Sequence, residues 1–342
     1  MEIIDRGFLP TFTKSVHASS VVLWKEHLVF SWFGGIREGD GSVAIYIHNL
    51  KGNGETIVLG NKDNVPRWNP ILFTAKDKIF LFEKAGRFCD CWQTFIHDIT
   101  HWDEKTTQKE MRGSAQYIPS GLNGSVKTAP IIQGNFLICG SSVETAFDWS
   151  SYIEEYWLNK KHFHFRRRSD PLRVKEKKSY IDYAGRTCMS LGVIQPCLWK
   201  DNSGKMHALM RSSYGLSCLY YSRSVLSNVG DWIQPVKTNI PNPNSGVDTV
   251  YYDGQLYLAY NPDENNRFPL LLSKVDLHYD SVANNAELEI GETIEIRGRV
   301  EESDMTMSSE LSYPYMILDG GVIHLTYTYG RSYIEYCKID VK

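Results

Sequence analysis

A chain of 342 residues, 42% of them apolar, can bury a sizeable core, and its length suits two average domains or one large all-β domain. A formal net charge of -3 supplies no global basic field, so charge alone gives no case for nucleic acid or an anionic membrane surface as a partner. Aromatics make up 13%, with 20 Tyr and 9 Trp, a bias that suits β-sheet first and sugar-stacking faces second.

Residues 1–10 carry acids early and no apolar run long enough for a signal-peptide core or a membrane span, so the expectation is a cytoplasmic protein without a span. From residue 17 the chain reads strand, tight turn, strand. Residues 17–24 and 28–33 flank the turn Lys25-Glu26-His27, the pair ends at Gly34-Gly35-Ile36-Arg37-Glu38-Gly39-Asp40, and a third strand follows at 43–47. The pattern returns at 69–73 and 79–82, at 129–132 and 136–139, at 195–199 and 206–210, and at 247–251 and 255–260, each time with a third strand behind it. Its cleanest copy is residues 312–331, where Asp319-Gly320-Gly321 supplies the positive-φ residues of a two-residue hairpin turn. Six hairpins spaced by about 45 to 65 residues predict propeller blades in one domain over residues 1–342.

Two stretches read as insertions. Residues 156–183 are basic, with Arg166-Arg167-Arg168 and lysines from Lys160 to Lys178, and predict a solvated loop or a contact for an anionic partner. Residues 276–310 are acidic and read as loop-rich. The polar turn from Tyr221 to Trp232 looks like a degraded Asp-box, and no copy of that box is complete. The 7 Cys, odd in number and set in strand-like runs, read as small buried hydrophobes. Cys89-x-Cys91 lacks a second pair at metal spacing, and there is no phosphate loop or nucleotide fingerprint, so neither a metal nor a cofactor is expected.

The segments 17–20, 32–39, 68–73, 194–199, 241–248 and 312–331 together resemble the sialidase-like BNR-repeat proteins, which form six-bladed β-propellers. The resemblance implies an arginine triad for a substrate carboxylate, a Tyr nucleophile assisted by a Glu, and an Asp acid/base. It places Tyr313 as nucleophile and Arg211 and Arg267 in the triad. His17 stands where the first arginine belongs, and Gln195 stands where the assisting Glu belongs. Glu38 and Asp40, beside Arg37, occupy the acid/base loop, and Glu310 is a substitute carboxylate.

The residue types carry chemistry of their own. Guanidinium groups bind carboxylates through paired N–H donors, so Arg211, Arg267 and Arg331, each just after a hairpin, predict an anion site. A phenol avoids the repulsion that a carboxylate nucleophile meets at an anomeric centre bearing its own carboxylate. Each has a plainer alternative: strand-end ion pairs for the arginines, a turn residue for Tyr313, a turn cap for Asp248, and core packing for Trp68. Lys127 and Glu144 lie at comparable blade ends. The expected function is a glycoside hydrolase that releases an acidic sugar, such as sialic acid or another ulosonic acid. A lyase for uronic acid polymers, using His17 and Tyr313, and a glycan-binding propeller without catalysis are the alternatives.

Overall fold

The computed structural model describes residues 1–60, 63–159, 162–226 and 229–342. It is all-β: among the described residues, one short helix, Gln108–Gly113, capped by Thr107, and one 3-10 turn interrupt the strands. The strands fall into four-stranded antiparallel units. The first is Ser15–Trp24, His27–Gly35, Ala44–His48 and Thr56–Gly60; the second is Arg67–Ala75, Lys78–Ala85, Gln93–Asp98 and Ala115–Tyr117. Ile131–Gln133, Phe136–Glu144, Trp149–Asn159 and His162–Arg168 form the third. The fourth, Val193–Lys200, Met206–Ser212, Cys218–Arg223 and Val236–Pro241, touches the fifth through a single parallel bridge between Thr238 and Ala286. The fifth is Asp248–Tyr252, Gln255–Tyr260, Leu270–Asp280 and Asn285–Arg297.

The sixth unit joins the two ends of the chain. Leu311–Asp319, Val322–Tyr329 and Tyr333–Asp340 supply three strands, and the N-terminal Glu2–Phe8 pairs antiparallel with the last of them. Its hairpin turn is as expected: Asp319 pairs with Val322, and Gly320 and Gly321 both have positive φ. The inner strands of the first and second units, the first and sixth, the fourth and fifth, and the fifth and sixth pack on one another, and Phe136–Glu144 and Trp149–Asn159 of the third pack on the inner strand of the fourth. Between the second and third, Asn69 Nδ2 donates to the Val126 carbonyl at 3.1 Å.

The core therefore lies between the faces of neighbouring sheets. Val16, Trp32, Ile71, Phe73, Tyr156 and Tyr315 share one cluster drawn from four units, and Tyr257, Leu272, Leu325 and Tyr327 share another drawn from the fifth and sixth. Burying each such side chain contributes about 1.5–3 kcal/mol, which offsets the cost of ordering so many strands. Cys139, Cys197, Cys218 and Cys337 are buried among them, and all seven cysteines are free.

Both expected insertions are corrected in part. His162–Arg168 is the outer strand of the third unit, and Arg167 and Arg168 pair with Glu155 and Glu154 of the adjacent strand. Their charge marks a strand facing solvent on one side, with Phe163 buried on the other. Lys160 and Lys161 lie outside the described residues, as do Ser227 and Asn228 within the polar turn before Trp232. The acidic 276–310 stretch is mostly a long hairpin: Ala286 and Leu288 are buried while Glu287 and Glu289 alternate outward. The loop begins only after Arg297.

One buried charge between the second and third units makes a prediction. Lys84 is fully buried with Nζ bonded to the Ser125 carbonyl, and burial lowers its pKa to about 7 against the partial opposition of Cys139, Glu154 and Glu144. An unfolded lysine titrates near ~10.4, so between these values the unfolded chain binds the extra proton and stability rises with pH. Lys84→Met is expected to flatten the rise in urea midpoint between about pH 7 and pH 10 relative to the parent. Parallel curves would show that Lys84 keeps its proton in the fold.

Candidate functional site

Four inner strands carry the same irregularity at the same place. Each has a bulge, between His17 and Ser20, Trp68 and Ile71, Ile194 and Cys197, and Ser312 and Tyr315. Within these bulges Ala18, Asn69, Gln195 and Tyr313 have φ of 50°, 36°, 57° and 56°. Left-handed backbone at a non-glycine residue costs on the order of 1–3 kcal/mol and persists only where the surroundings hold it. A bulge re-aims a side chain, and here the re-aimed side chains of the fourth and sixth units meet.

The meeting point is the Tyr313 hydroxyl. Gln195 Nε2 donates to it at 3.1 Å, and Arg211 Nη1 donates both to it and to Gln195 Oε1, the latter at 3.1 Å. Arg211 is held in turn by Asn244 Oδ1, which accepts from its Nε at 3.1 Å and its Nη2 at 2.7 Å. His17 packs its ring 4.3 Å from the ring of Tyr313, with Nδ1 2.9 Å from Thr328 Oγ1. Tyr313 is 7% exposed, His17 2% and Arg211 6%, so this centre is enclosed.

Glu310 is a hub for the other two arginines. Its Oε2 accepts from Arg267 Nη1 at 3.3 Å, and its Oε1 accepts from Arg331 Nε and Ser312 Oγ, each at 2.7 Å. Burial pushes the Glu310 carboxyl up, but Arg267 and Arg331 outweigh it and the pKa falls below the usual carboxylate value. Arg331 also pairs with Glu38, and Arg267 Nη2 donates to the Asn244 carbonyl at 2.7 Å. Lys127, buried, donates to the Pro314 carbonyl and lies 5.7 Å from the Tyr313 ring. There is no slack here: a Cβ on Gly246 would stand 3.0 Å from Lys127 Cε and 3.1 Å from Gln195 Oε1.

His17 reports the field of this cluster. Its pKa is driven well below the usual imidazole value by burial, then by Arg331, Arg267, Arg211 and Lys127. Four cations thus act on one ring, two of them paired with Glu310, whose Oε1 lies 3.8 Å from His17 Nδ1.

The other sequence candidates sit apart. Asp40 Oδ1 accepts from Ser42 N at 2.8 Å, closing its own turn, and that bonding lowers its pKa, the reverse of what a proton donor needs. Arg37 is exposed on the same loop. Trp68 packs on Phe33 and Trp92 and donates to the Gly86 carbonyl at 2.7 Å. Asp248 opens the inner strand of the fifth unit, where Oδ2 accepts from Met316 N at 2.7 Å and Oδ1 from Thr249 N at 2.8 Å and Cys197 Sγ at 3.1 Å.

Glu144 joins the site. It ends its strand opposite Trp149, whose ring lies 5.5 Å from the Arg211 guanidinium, and its Oε1 is buried without a hydrogen-bond partner. Burial raises its pKa, opposed by Arg211 and reinforced by Glu38. Asn244 and Thr328, which position Arg211 and His17, carry no mark in the sequence beyond those of a turn former and a strand residue.

The BNR repeat-like domain family matches residues 26–325. The chain belongs to that family. No curated protein matches this BNR repeat-like chain in sequence. Among solved structures it is similar to a protein of unknown function from Dyadobacter fermentans, at 12% identity and a TM-score of 0.67, covering 100% of this chain and 99% of that one. The sialidase of Trypanosoma rangeli in complex with the inhibitor DANA aligns at 11% identity and a TM-score of 0.62 over 96% of this chain, which spans 55% of the trypanosomal protein. A subtype N10 neuraminidase-like protein of A/little yellow-shouldered bat/Guatemala/060/2010 aligns at 8% identity and a TM-score of 0.56 over 99% of this chain and 100% of that chain. The fold is therefore sialidase-like. Among the described residues no helix is long and apolar enough to cross a membrane, and no group of three or more His, Cys, Asp or Glu side chains is placed to hold a metal ion.

Proposed function

We propose that this BNR repeat-like chain is a single six-bladed propeller and a glycosidase of the sialidase type, which removes an acidic sugar from a glycan with Tyr313 as nucleophile. The observation that supports it most is the Tyr313 hydroxyl fixed between Arg211 and Gln195, inside a ring of cations that also includes Arg267, Arg331 and Lys127. A sugar carboxylate entering that field finds guanidinium N–H groups and an ammonium. Attack by the phenol oxygen forms a glycosyl–Tyr313 bond as the glycosidic bond breaks; Arg211 and Gln195 stabilise charge on that oxygen. Glu144, whose pKa burial raises, supplies the proton to the leaving oxygen and recovers it from the water that completes hydrolysis. Glu310 is committed to two arginines and Ser312, and the cations around His17 oppose an imidazolium there, so the phenol proton passes to solvent as the oxygen attacks and returns from solvent when the glycosyl–Tyr313 bond is hydrolysed.

A second reading has its own support. Among the described residues no carboxylate bonds to Tyr313, and a neutral His17 beside a phenol, with cations to neutralise a uronate, suits elimination. One assay separates the readings: fluorogenic sialosides, other ulosonic acid glycosides and uronate polymers are incubated with the protein. Released sugar without ultraviolet absorbance of an unsaturated product is the expected result. That absorbance would transfer the assignment to a lyase, and binding with neither signal would leave a lectin-like propeller.

A further inference from the structure

A cavity of about 300 Å³ is lined by Arg267, Glu310 and Arg331 and by Tyr183, Tyr214, Asn265 and Asn266. Those last four also line a larger cleft of about 620 Å³, walled by the hairpin Ser179–Ile181 and Thr187–Met189 between the third and fourth units. The two spaces therefore adjoin across these residues. From the charged end, where the proposed function places an acidic sugar, the cleft runs out along tyrosines.

The hairpin is built to display one of them. Asp182 Oδ1 accepts from Ala184 N and Arg186 N, each at 2.9 Å, and Asp182 N donates to the Arg186 carbonyl at 3.0 Å. This closed turn leaves Tyr183 96% exposed at its tip, with its ring perpendicular to that of Tyr214 at 6.4 Å, while Tyr180 lies 5.8 Å from Tyr214 on the other side. Tyr183 lines both the charged cavity and the larger cleft, which places it between them. Across the cleft, Asp263 Oδ1 accepts from Asn265 N at 2.7 Å and Asn266 N at 2.6 Å, so backbone bonds fix the loop that carries the two amides.

Exposed aromatic faces and amides at the edge of a cleft match sugar rings, which present apolar C–H faces and hydroxyl edges. The charged groups on the larger cleft are Asp182 and Glu264, both acidic, so a second anionic sugar is disfavoured there. We infer that this cleft binds the neutral sugars of the glycan that carries the acidic one, and that the substrate is an oligosaccharide chain, with Tyr183 and Tyr214 as stacking platforms. The inference rests on the acidic-sugar reading for the charged end only.

The test is calorimetric titration in the Tyr313→Phe background, which prevents turnover. The probes are sialic acid, a deoxyulosonic acid and glucuronic acid, oligosaccharides ending in each, and the same oligosaccharides without the acidic terminus. Acid-terminated oligosaccharides are expected to bind about tenfold more tightly than their monosaccharides. Tyr183→Ala, on an exposed turn, is expected to erase that gap, and Tyr183→Trp to keep it. Equal affinities for monosaccharide and oligosaccharide, or a gap that survives Tyr183→Ala, would overturn the cleft assignment and leave the acidic-sugar reading standing. Neutral oligosaccharides that bind in a Tyr183-dependent way, with no binding of the acids, would keep the cleft and remove the acidic sugar. Failure of every probe to bind would sink both.

Discussion

Tyr313→Phe is expected to lower turnover by about a thousandfold or more while glycan binding changes little. The phenol oxygen is the one atom that Arg211 and Gln195 both address, and neither donor has another task as near to the proposed reacting centre. Removing it deletes the nucleophile in hydrolysis. It also leaves two buried donors short of an acceptor, a cost of about 1–3 kcal/mol, so a thermal melt must confirm that the variant is folded. A variant that is folded and turns over at the parent rate ends the mechanism. Gln195→Glu is the companion experiment. A carboxylate at this bulge keeps the bond to Arg211 and adds a base for the phenol, so hydrolysis is expected to rise, whereas elimination driven by His17 gains nothing from it.

The repeat was legible in the sequence because inner and middle strands alternate apolar and aromatic residues around short turns, and residues 312–331 display this without interruption. The outer strands were hidden for the opposite reason. His162–Arg168 and Asn285–Arg297 bury one face in part and expose the other, so charge dominates their composition and they read as insertions. Glu2–Phe8 gave no sign either, since its partner lies at the other end of the chain.

At the site, residue type and motif position located Arg211, Tyr313, Gln195, His17, Arg267 and Glu310, and the fold brings all six together. What they do to one another was not legible. That Glu310 is held by Arg267 and Arg331 rather than poised on Tyr313 depends on contacts across 43 and 21 residues. Glu144 is the clearest case: a carboxylate at a strand end is ordinary in sequence, and only the burial of its Oε1 without a hydrogen-bond partner among the described residues singles it out for the proposed role.

Asp248→Ala is expected to cost about 3–5 kcal/mol of stability, the effect of breaking a buried hydrogen-bonded charge. The carboxylate sits on the inner strand of the fifth unit and accepts from Met316 N of the sixth and Cys197 Sγ of the fourth, so one side chain ties three units at the centre of the ring. Burial raises its pKa, and Lys127 holds it down, so the pair share one enclosed space. With alanine there, the Met316 and Thr249 N–H groups lose their acceptor and Lys127 loses its counter-charge, directly behind the Tyr313-Pro314 bulge. Asp248→Asn keeps an acceptor oxygen and the volume, and is expected to recover part of the loss. Urea midpoints with unchanged slopes are the measurement. A loss under about 1 kcal/mol in the alanine variant, accompanied by a collapse of turnover, would move Asp248 from the frame of the site into its chemistry.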